Sequence, residues 1–278
     1  KQMDATIEAI CESLSATPMT REQLGEGVAR RVGRWAVLRS VGAFGGQWPV
    51  WQAGIGGAAM RGALVFGPPV GARVTFVRAS DWLGKITSPP ESQAQRELMR
   101  RYLGAYGPAT DAEFAQWAFI EPRRAGELAK ALGDAIEEVD VEGHRAWQIA
   151  GDRPGRASTS TLLLPRFDCY AVGSHPRDVV APPDVVARAA ATGLLTRGAG
   201  SGHAFLVGPM PVLLVDGTVG GIWESTRTAK HIAIRVQPLI TLDAKRRRSL
   251  ERAVMRIGEM VGLESSIAIG KVSTRPHL

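Results

Sequence analysis

Residues 98–150 read LMRRYLGAYGPATDAEFAQWAFIEPRRAGELAKALGDAIEEVDVEGHRAWQIA, and this stretch decides the fold. A helix is expected over 93–106, ending at Gly107-Pro108 because proline cannot continue a helix. Thr110 then caps a second helix, and Glu113 three residues on completes a capping box. Phe114, Trp117 and Ala118 recur at i, i+3 and i+4, which gives that helix one apolar face. Pro122 suits the first position of a third helix. Leu128 and Leu132 point inward, and Gly133 stops it. Two strand-like runs, 138–141 and 145–149, flank the turn Glu142-Gly143. Three helices followed by a hairpin describe a winged helix-turn-helix, with Arg123, Arg124 and Lys130 outward on the third helix and the hairpin as wing.

Residues 4–85 repeat the pattern. Ile7, Ile10 and Leu14 line one side of a helix, and Pro18-Met19-Thr20-Arg21-Glu22-Gln23-Leu24 matches Pro108-Ala109-Thr110-Asp111-Ala112-Glu113-Phe114. Both read Pro, any, Thr, any, any, Glu/Gln, apolar, so both open a second helix through a capping box. Their separation is the size of a domain, not of a solenoid repeat. The third helix of this copy is expected within 49–60, and its hairpin over 63–66 and 73–77. The long, Gly-rich segment 35–47 makes this copy the less regular one.

A polar linker at 153–160 gives way to a strand-rich pattern. The run 162–164 leads into Pro165–Gly173, residues 185–191 suit a short helix, and 193–203 reads as a Gly-rich mobile loop. Val212–Val215, Asp216-Gly217 and 218–223 form the clearest hairpin, since Asp-Gly fits a type I′ turn. A strand follows at 231–236. Thr241 opens a last helix over 242–261, with Leu250, Val254, Ile257 and Val261 on one face. A strand at 266–269 closes the pattern, and 273–278 shows none. The expected class is α+β: a winged-helix domain at 1–86, a second at 92–152, and a β-rich C-terminal domain with a terminal helix at 158–278. The segment 87–91 is the first linker.

With 278 residues, 45% of them hydrophobic, and a mean hydropathy of -0.04, ordinary cores can form. The net charge of +7 and a pI of about 9.9 suit a polyanionic partner. Arginine far outnumbers lysine, and arginine pairs phosphate bidentately. No run approaches the roughly 18 apolar residues of a membrane helix, and KQMDATIEAI lacks the apolar core of a signal peptide. The first residue is Lys rather than Met, so residues are expected upstream. The two cysteines, Cys11 and Cys169, argue against a disulfide scaffold or a Cys-rich zinc site and for the cytoplasm, and a monomer is expected. The five histidines have no metal-ligand spacing, so neither metal nor cofactor is expected. Gly54-Ile55-Gly56-Gly57-Ala58-Ala59 spells a dinucleotide fingerprint, but no βαβ pattern surrounds it. No G-x-S-x-G nucleophile motif occurs.

The candidate site residues are mostly cationic. Arg123 and Arg124 sit where a third helix meets a phosphate backbone, Arg73 flanks the first wing, and His144 and Arg145 flank the second. A solvated helix face and loop is the competing reading of each. The segment WPVWQAGIGGAAMRG, residues 48–62, is nearly uncharged and reads as packed rather than set in a groove. On the last helix, Lys245, Arg246 and Arg247 precede Arg248, Arg252 and Arg256, which stack at i, i+4 and i+8. That stripe reads equally as a phosphate-tracking surface or as the wet face of an amphipathic helix that also carries Glu251 and Glu259.

Three segments in series, RYLGAYGPATDAEFAQW (101–117), LLLPRFDCYAVGSHPRD (162–178) and PVLLVDGTVGGIW (211–223), resemble the winged-helix DNA-binding family that includes the AlkZ-like DNA glycosylases. The resemblance covers most of the chain from Asp4 onward. It implies tandem winged helices and a β-rich part arranged around double-stranded DNA. For characterised members it implies hydrolysis of the N-glycosidic bond of alkylated purines, crosslinked ones included. A Gln-apolar-Gln or Gln-apolar-Asp motif there positions a water and stabilises the developing sugar cation. Cys169 departs from the family's usual proline. The motif is expected in a winged helix upstream of the two found here. Gln93-Ala94-Gln95 spells it, but in a different unit, so no catalytic residue is assigned. Asp168, His175, Arg177 and Asp178 match the family's polar cluster and are expected to face DNA. A structural Asp168 capping a turn is the competing reading. The expected DNA-binding set is therefore Arg73, Arg123, Arg124, Arg145, Arg166, Asp168, His175, Arg177, Arg248 and Arg252. A non-catalytic winged-helix regulator is the alternative function, and winged units that pack on protein are a third.

Overall fold

The computed structural model describes residues 1–43, 46–85, 87–153, 155, 160–193 and 208–273, and the chain folds as two compact units, Lys1–Pro89 and a second from Pro90 onward. The expected loop over 193–203, apart from Gly193, and the tail from 274 lie outside the described residues, as does most of the linker 153–160.

In the first unit, α1 (Gln2–Ser13) buries Ile7 and Ile10. A short β1 (Met19–Thr20) leads into α2 (Arg21–Val32). The Thr20 hydroxyl accepts from the Gln23 amide at 3.3 Å, and the Gln23 side chain accepts from the Thr20 amide at 2.8 Å. The expected capping box is thus present, and it satisfies two amides that a helix start leaves orphaned. The irregular stretch 35–47 resolves into a 3-10 turn and an antiparallel hairpin, β2 (Arg39–Ala43) with β3 (Gly46–Pro49). The third helix shortens to α3 (Ile55–Met60) behind a 3-10 turn. Ile10, Leu24, Val28, Trp51 and Ala58 form its core. A Cβ on Gly57 would lie 2.5 Å from the Ile7 Cδ1 atom, so the Gly-Ile-Gly-Gly run serves close helix packing and not a dinucleotide. Then β4 (Leu64–Val70) and β5 (Arg73–Arg78) pair, β1 adds to the far side of β5, and α4 (Ala79–Leu83) ends the unit.

The second unit opens with α5 (Glu91–Tyr106), α6 (Asp111–Ala118) and α7 (Pro122–Leu132), then β6 (Ile136–Val141) and β7 (His144–Ile149) as an antiparallel hairpin. Thr110 and Glu113 form the second capping box. Met99, Tyr102, Leu103, Phe114 and Leu128 fill the core. At the hairpin tip Glu142 and Gly143 have φ of 54° and 84°, the signs a type I′ turn requires.

After β8 (Thr161–Leu164) the strand-rich pattern gives way to two short helices, α8 (Cys169–Gly173) and α9 (Arg177–Val180), and the helix expected at 185–191 follows as α10 (Pro183–Ala191). Strands β9 (Val212–Val215), β10 (Thr218–Arg227) and β11 (His231–Pro238) follow, then α11 (Ala244–Val261) and β12 (Glu264–Ile269). The sheet order is β12-β11-β10-β9-β8, antiparallel except for the parallel β11–β12 pair that α11 connects. Leu250 and Val254 of α11 pack on Leu213, Ile234 and Val236 of one face. Val180, Val185 and Ala189 cover Val212, Val219 and Ile222 of the other. The last helix starts after Asp243, not at Thr241, because the Asp243 carboxylate accepts from the Arg246 amide at 2.8 Å. The molecule is therefore a mixed α+β protein. Among the described residues no helix is long and apolar enough to cross a membrane.

Candidate nucleic-acid interface

Where α7 meets the β6–β7 hairpin, Arg123, Glu127 and Lys130 of the helix face Arg145 and Trp147 of β7 across a concavity of about 430 Å³, floored by Asp111, Pro122 and Gly126. Backbone hydrogen bonds between Ala109 and Trp147, at 3.0 and 2.8 Å, fasten the hairpin to the residues leading into α6. The Trp147 indole donates to the Asp111 carboxylate at 3.0 Å, which fixes its ring. The Arg145 guanidinium lies 4.9 Å from the centre of that ring and 2.7 Å from Glu138 on the paired strand. Arg123 is 3.4 Å from Glu127 and almost fully exposed. Exposed ion pairs of this kind are worth at most about 1 kcal/mol, so a polyanion can take either arginine from its carboxylate. Strand alternation puts Arg145 and Trp147 on one face of β7, so the pair is legible in the sequence. The Trp147–Asp111 bond, by contrast, joins residues 36 apart, and no local signal in the sequence marks it.

Arg124 departs from this group. It turns to Glu127, at 3.1 Å, and donates to the Gln95 side chain on α5. Gln95 also donates to Glu91 at 2.9 Å. The Gln93-Ala94-Gln95 triplet thus lies on an exposed helix face, with Gln95 tied to its neighbours.

The segment 166–178 splits. Asp168 accepts from the Tyr170 amide at 2.9 Å and caps α8, the turn-capping role. Tyr170 and Tyr106 donate to the carbonyls of Gly217 and Cys169, at 2.7 and 3.0 Å, and so hold α8 between the β9–β10 turn and α5. Arg177 donates to the Ala171 carbonyl at 2.7 Å, and burial draws its pKa down. Burial, then the Arg177 charge, also pull the His175 pKa below its ordinary value, against Glu113, which raises it. Arg166 lines a different concavity of about 590 Å³, with Trp223, Glu224 and Thr226 of β10.

Arg248, Arg252 and Arg256 are exposed along α11, and Arg252 and Arg256 border a groove of about 570 Å³ against the edge strand β8. Arg73 starts β5 in the first unit, where Phe66, Val70 and Val74 of the same hairpin are exposed. Its charge contributes, after local hydrogen bonds, to the lowered pKa of Glu22. Among the described residues no three His, Cys, Asp or Glu side chains gather as metal ligands.

The second unit thus joins a three-helix body with a basic helix–hairpin concavity to a five-stranded sheet that carries a cationic helix. Residues 1–260 match the family described as DNA glycosylase AlkZ-like, and the chain belongs to it. The interstrand DNA cross-link repair glycosylase of Streptomyces sahachiroi is 32% identical over 238 residues, covering 81% of this chain and 58% of that protein. The chain thus spans less than two thirds of that relative's length. The solved structure of the DNA glycosylase AlkZ from the same organism superposes with a TM-score of 0.69 at 25% identity, over 97% of this chain and 69% of that one.

Proposed function

We propose that this chain holds double-stranded DNA through two winged helix-turn-helix modules, at 1–86 and 92–152, and that it serves the excision of alkylated or crosslinked purines. The concavity between α7 and the second hairpin carries the reading. It gathers Arg123, Lys130 and Arg145 beside the Trp147 ring, with Glu127, Asp111 and Glu138 as anionic neighbours on the exposed rim. Three cations on two elements meet successive phosphates, while the ring gives a stiff platform for Arg145. Membership in the glycosylase family and the excess of arginine support the same partner. In this reading Arg73 works from the first wing, and Arg166, His175 and Arg177 from the second unit's β-rich half at 158–278. Arg248 and Arg252 track phosphates along α11, Arg124 braces α5 against α7, and Asp168 acts by holding α8. The protein works as a monomer.

The salt dependence of duplex binding tests this. Anisotropy of a labelled duplex should fall steeply with salt, and Lys130→Ala and Arg145→Ala should each flatten the log–log slope by about 1. Binding that ignores salt, or slopes that the two variants leave unchanged, removes this interface. Release of 7-methylguanine from duplex, scored as abasic sites, tests the glycosylase half. Tight binding without release retains the DNA reading and discards excision by this chain.

A further inference from the structure

Among the described residues, four other than glycine have a positive φ: Phe119, Glu142, Phe167 and Asp216. Glu142 and Asp216 each precede a glycine in a two-residue hairpin turn, where a positive φ is required. The Phe167 amide is tied to the Gly208 carbonyl at 2.8 Å, in the turn that Asp168 closes. Phe119 has no such account. It ends α6 with φ 54° and ψ 44°, a left-handed cap that favours glycine because a side chain there crowds the backbone. Its side chain is also 96% exposed, the highest value among the exposed large apolar residues. An aromatic ring in water contributes nothing to folding, so conformation and exposure both oppose this residue.

The mount of the ring is rigid. The Phe119 amide donates to the Ala115 carbonyl, and the Ile120 amide donates to the same oxygen at 3.0 Å. Trp117, Ala118 and Ile120, on either side, pack on the core of the three helices. The loop leads directly into α7, which carries Arg123 and Lys130. An apolar ring on a stiff loop four residues before Arg123 has the equipment of a wedge that enters a base step while phosphates are held by the helix that follows.

We infer that Phe119 stacks on a base of duplex DNA that it helps to unstack, at the site where Arg123, Lys130 and Arg145 hold the backbone. This rests on the DNA-binding reading and adds to it the residue that senses stacking. Every base offers a π-face, so the contact favours steps that open easily, such as damaged or mismatched ones, over any fixed sequence.

The test uses the whole chain and a short duplex carrying 2-aminopurine, whose fluorescence rises on unstacking. Wild type should bind and brighten the probe. Phe119→Gly should bind about tenfold more weakly and lose the brightening, while its salt slope stays that of wild type. Phe119→Trp should keep both signals. Phe119→Gly should also melt about 2–4 °C higher, because glycine relieves the left-handed cap, so weaker binding cannot be blamed on unfolding. Phe119→Gly that binds and brightens like wild type overturns the inference and leaves the interface standing. A wild type that binds no duplex overturns the interface and the inference with it. Weaker binding with a changed salt slope and unaltered brightening marks Phe119 as a contact to the backbone or to protein, and also overturns the wedge.

Discussion

At the scale of single residues, the clearest electrostatic signature belongs to His175. Burial and the Arg177 guanidinium hold its pKa below the ordinary value near 6.5, so the folded state keeps it neutral where the unfolded chain binds a proton. The unfolded state then binds more protons just below pH 6.5, and stability must fall as the pH drops through that value. Urea midpoints measured between pH 7.5 and 5.5 should fall for wild type and fall less for His175→Gln. Equal slopes for the two proteins would show that His175 titrates alike folded and unfolded. The sequence named His175 by motif, without this environment, because the groups that set it come from three places: Arg177 on α9, Glu113 on α6 and the buried packing around them. The same limit separates Arg145 from Arg124. Arg145 meets Trp147 two residues along its own strand, a contact that strand alternation makes legible, whereas only a tertiary contact sends Arg124 onto Gln95 of α5.

Elements were readable where their signals are local. Both capping boxes lie within four consecutive residues, and both formed as spaced. Removing either hydroxyl strands an amide at a helix start, so Thr20→Ala and Thr110→Ala should each cost about 1 kcal/mol, or about 2–4 °C in melting temperature. Serine at either position should restore most of the loss. A melt unchanged by both alanines would mean that water replaces the cap. The Asp216-Gly217 turn was legible for the same reason, since the dipeptide alone requires the positive φ values of 55° and 88° found there. Signals that depend on distant partners were not legible. Strand β1 exists because Met19 and Thr20 meet Phe76 and Thr75 on β5. The β11–β12 pair is parallel because α11 returns the chain to the same edge of the sheet. Helix α8, Cys169–Gly173, is too short to show a 3.6-residue period, and Asp168 alone marks its start. Thr241 and Asp243 are both able caps, and the choice fell to the carboxylate. The Arg246 amide, which draws the Asp243 pKa down, lies within its reach.

For the whole molecule, composition gives a charge that suits a polyanionic partner and says little of the architecture. Excess arginine and a high pI are sums over the chain and survive any arrangement of it. Division into units depends on which apolar residues share a core. Ile10, Leu14, Leu24, Trp51 and Phe76 form a cluster from the first unit alone, while three further clusters draw only on residues after Pro90. Between them, residues 84, 85 and 87–90 lie outside helix and strand and are exposed, and Pro89 and Pro90 deny the segment amide donors. Chain without burial or backbone pairing opens to a protease at little cost, whereas an exposed arginine within a helix is cut only when the helix unwinds. Trypsin at low dose should therefore cut after Lys85 before it cuts after Arg100 or Arg101, which are held in α5 and paired with Glu97 at 2.7 Å. The expected product is a fragment ending at Lys85 that resists further cleavage at Arg73 and Arg78, since both lie on the paired strand β5. Mass spectrometry of the first products reads the order of cuts. Early cleavage at Arg100 or Arg101 with the Lys85 site intact would mean that the 84–90 segment is protected and that the cores do not divide there.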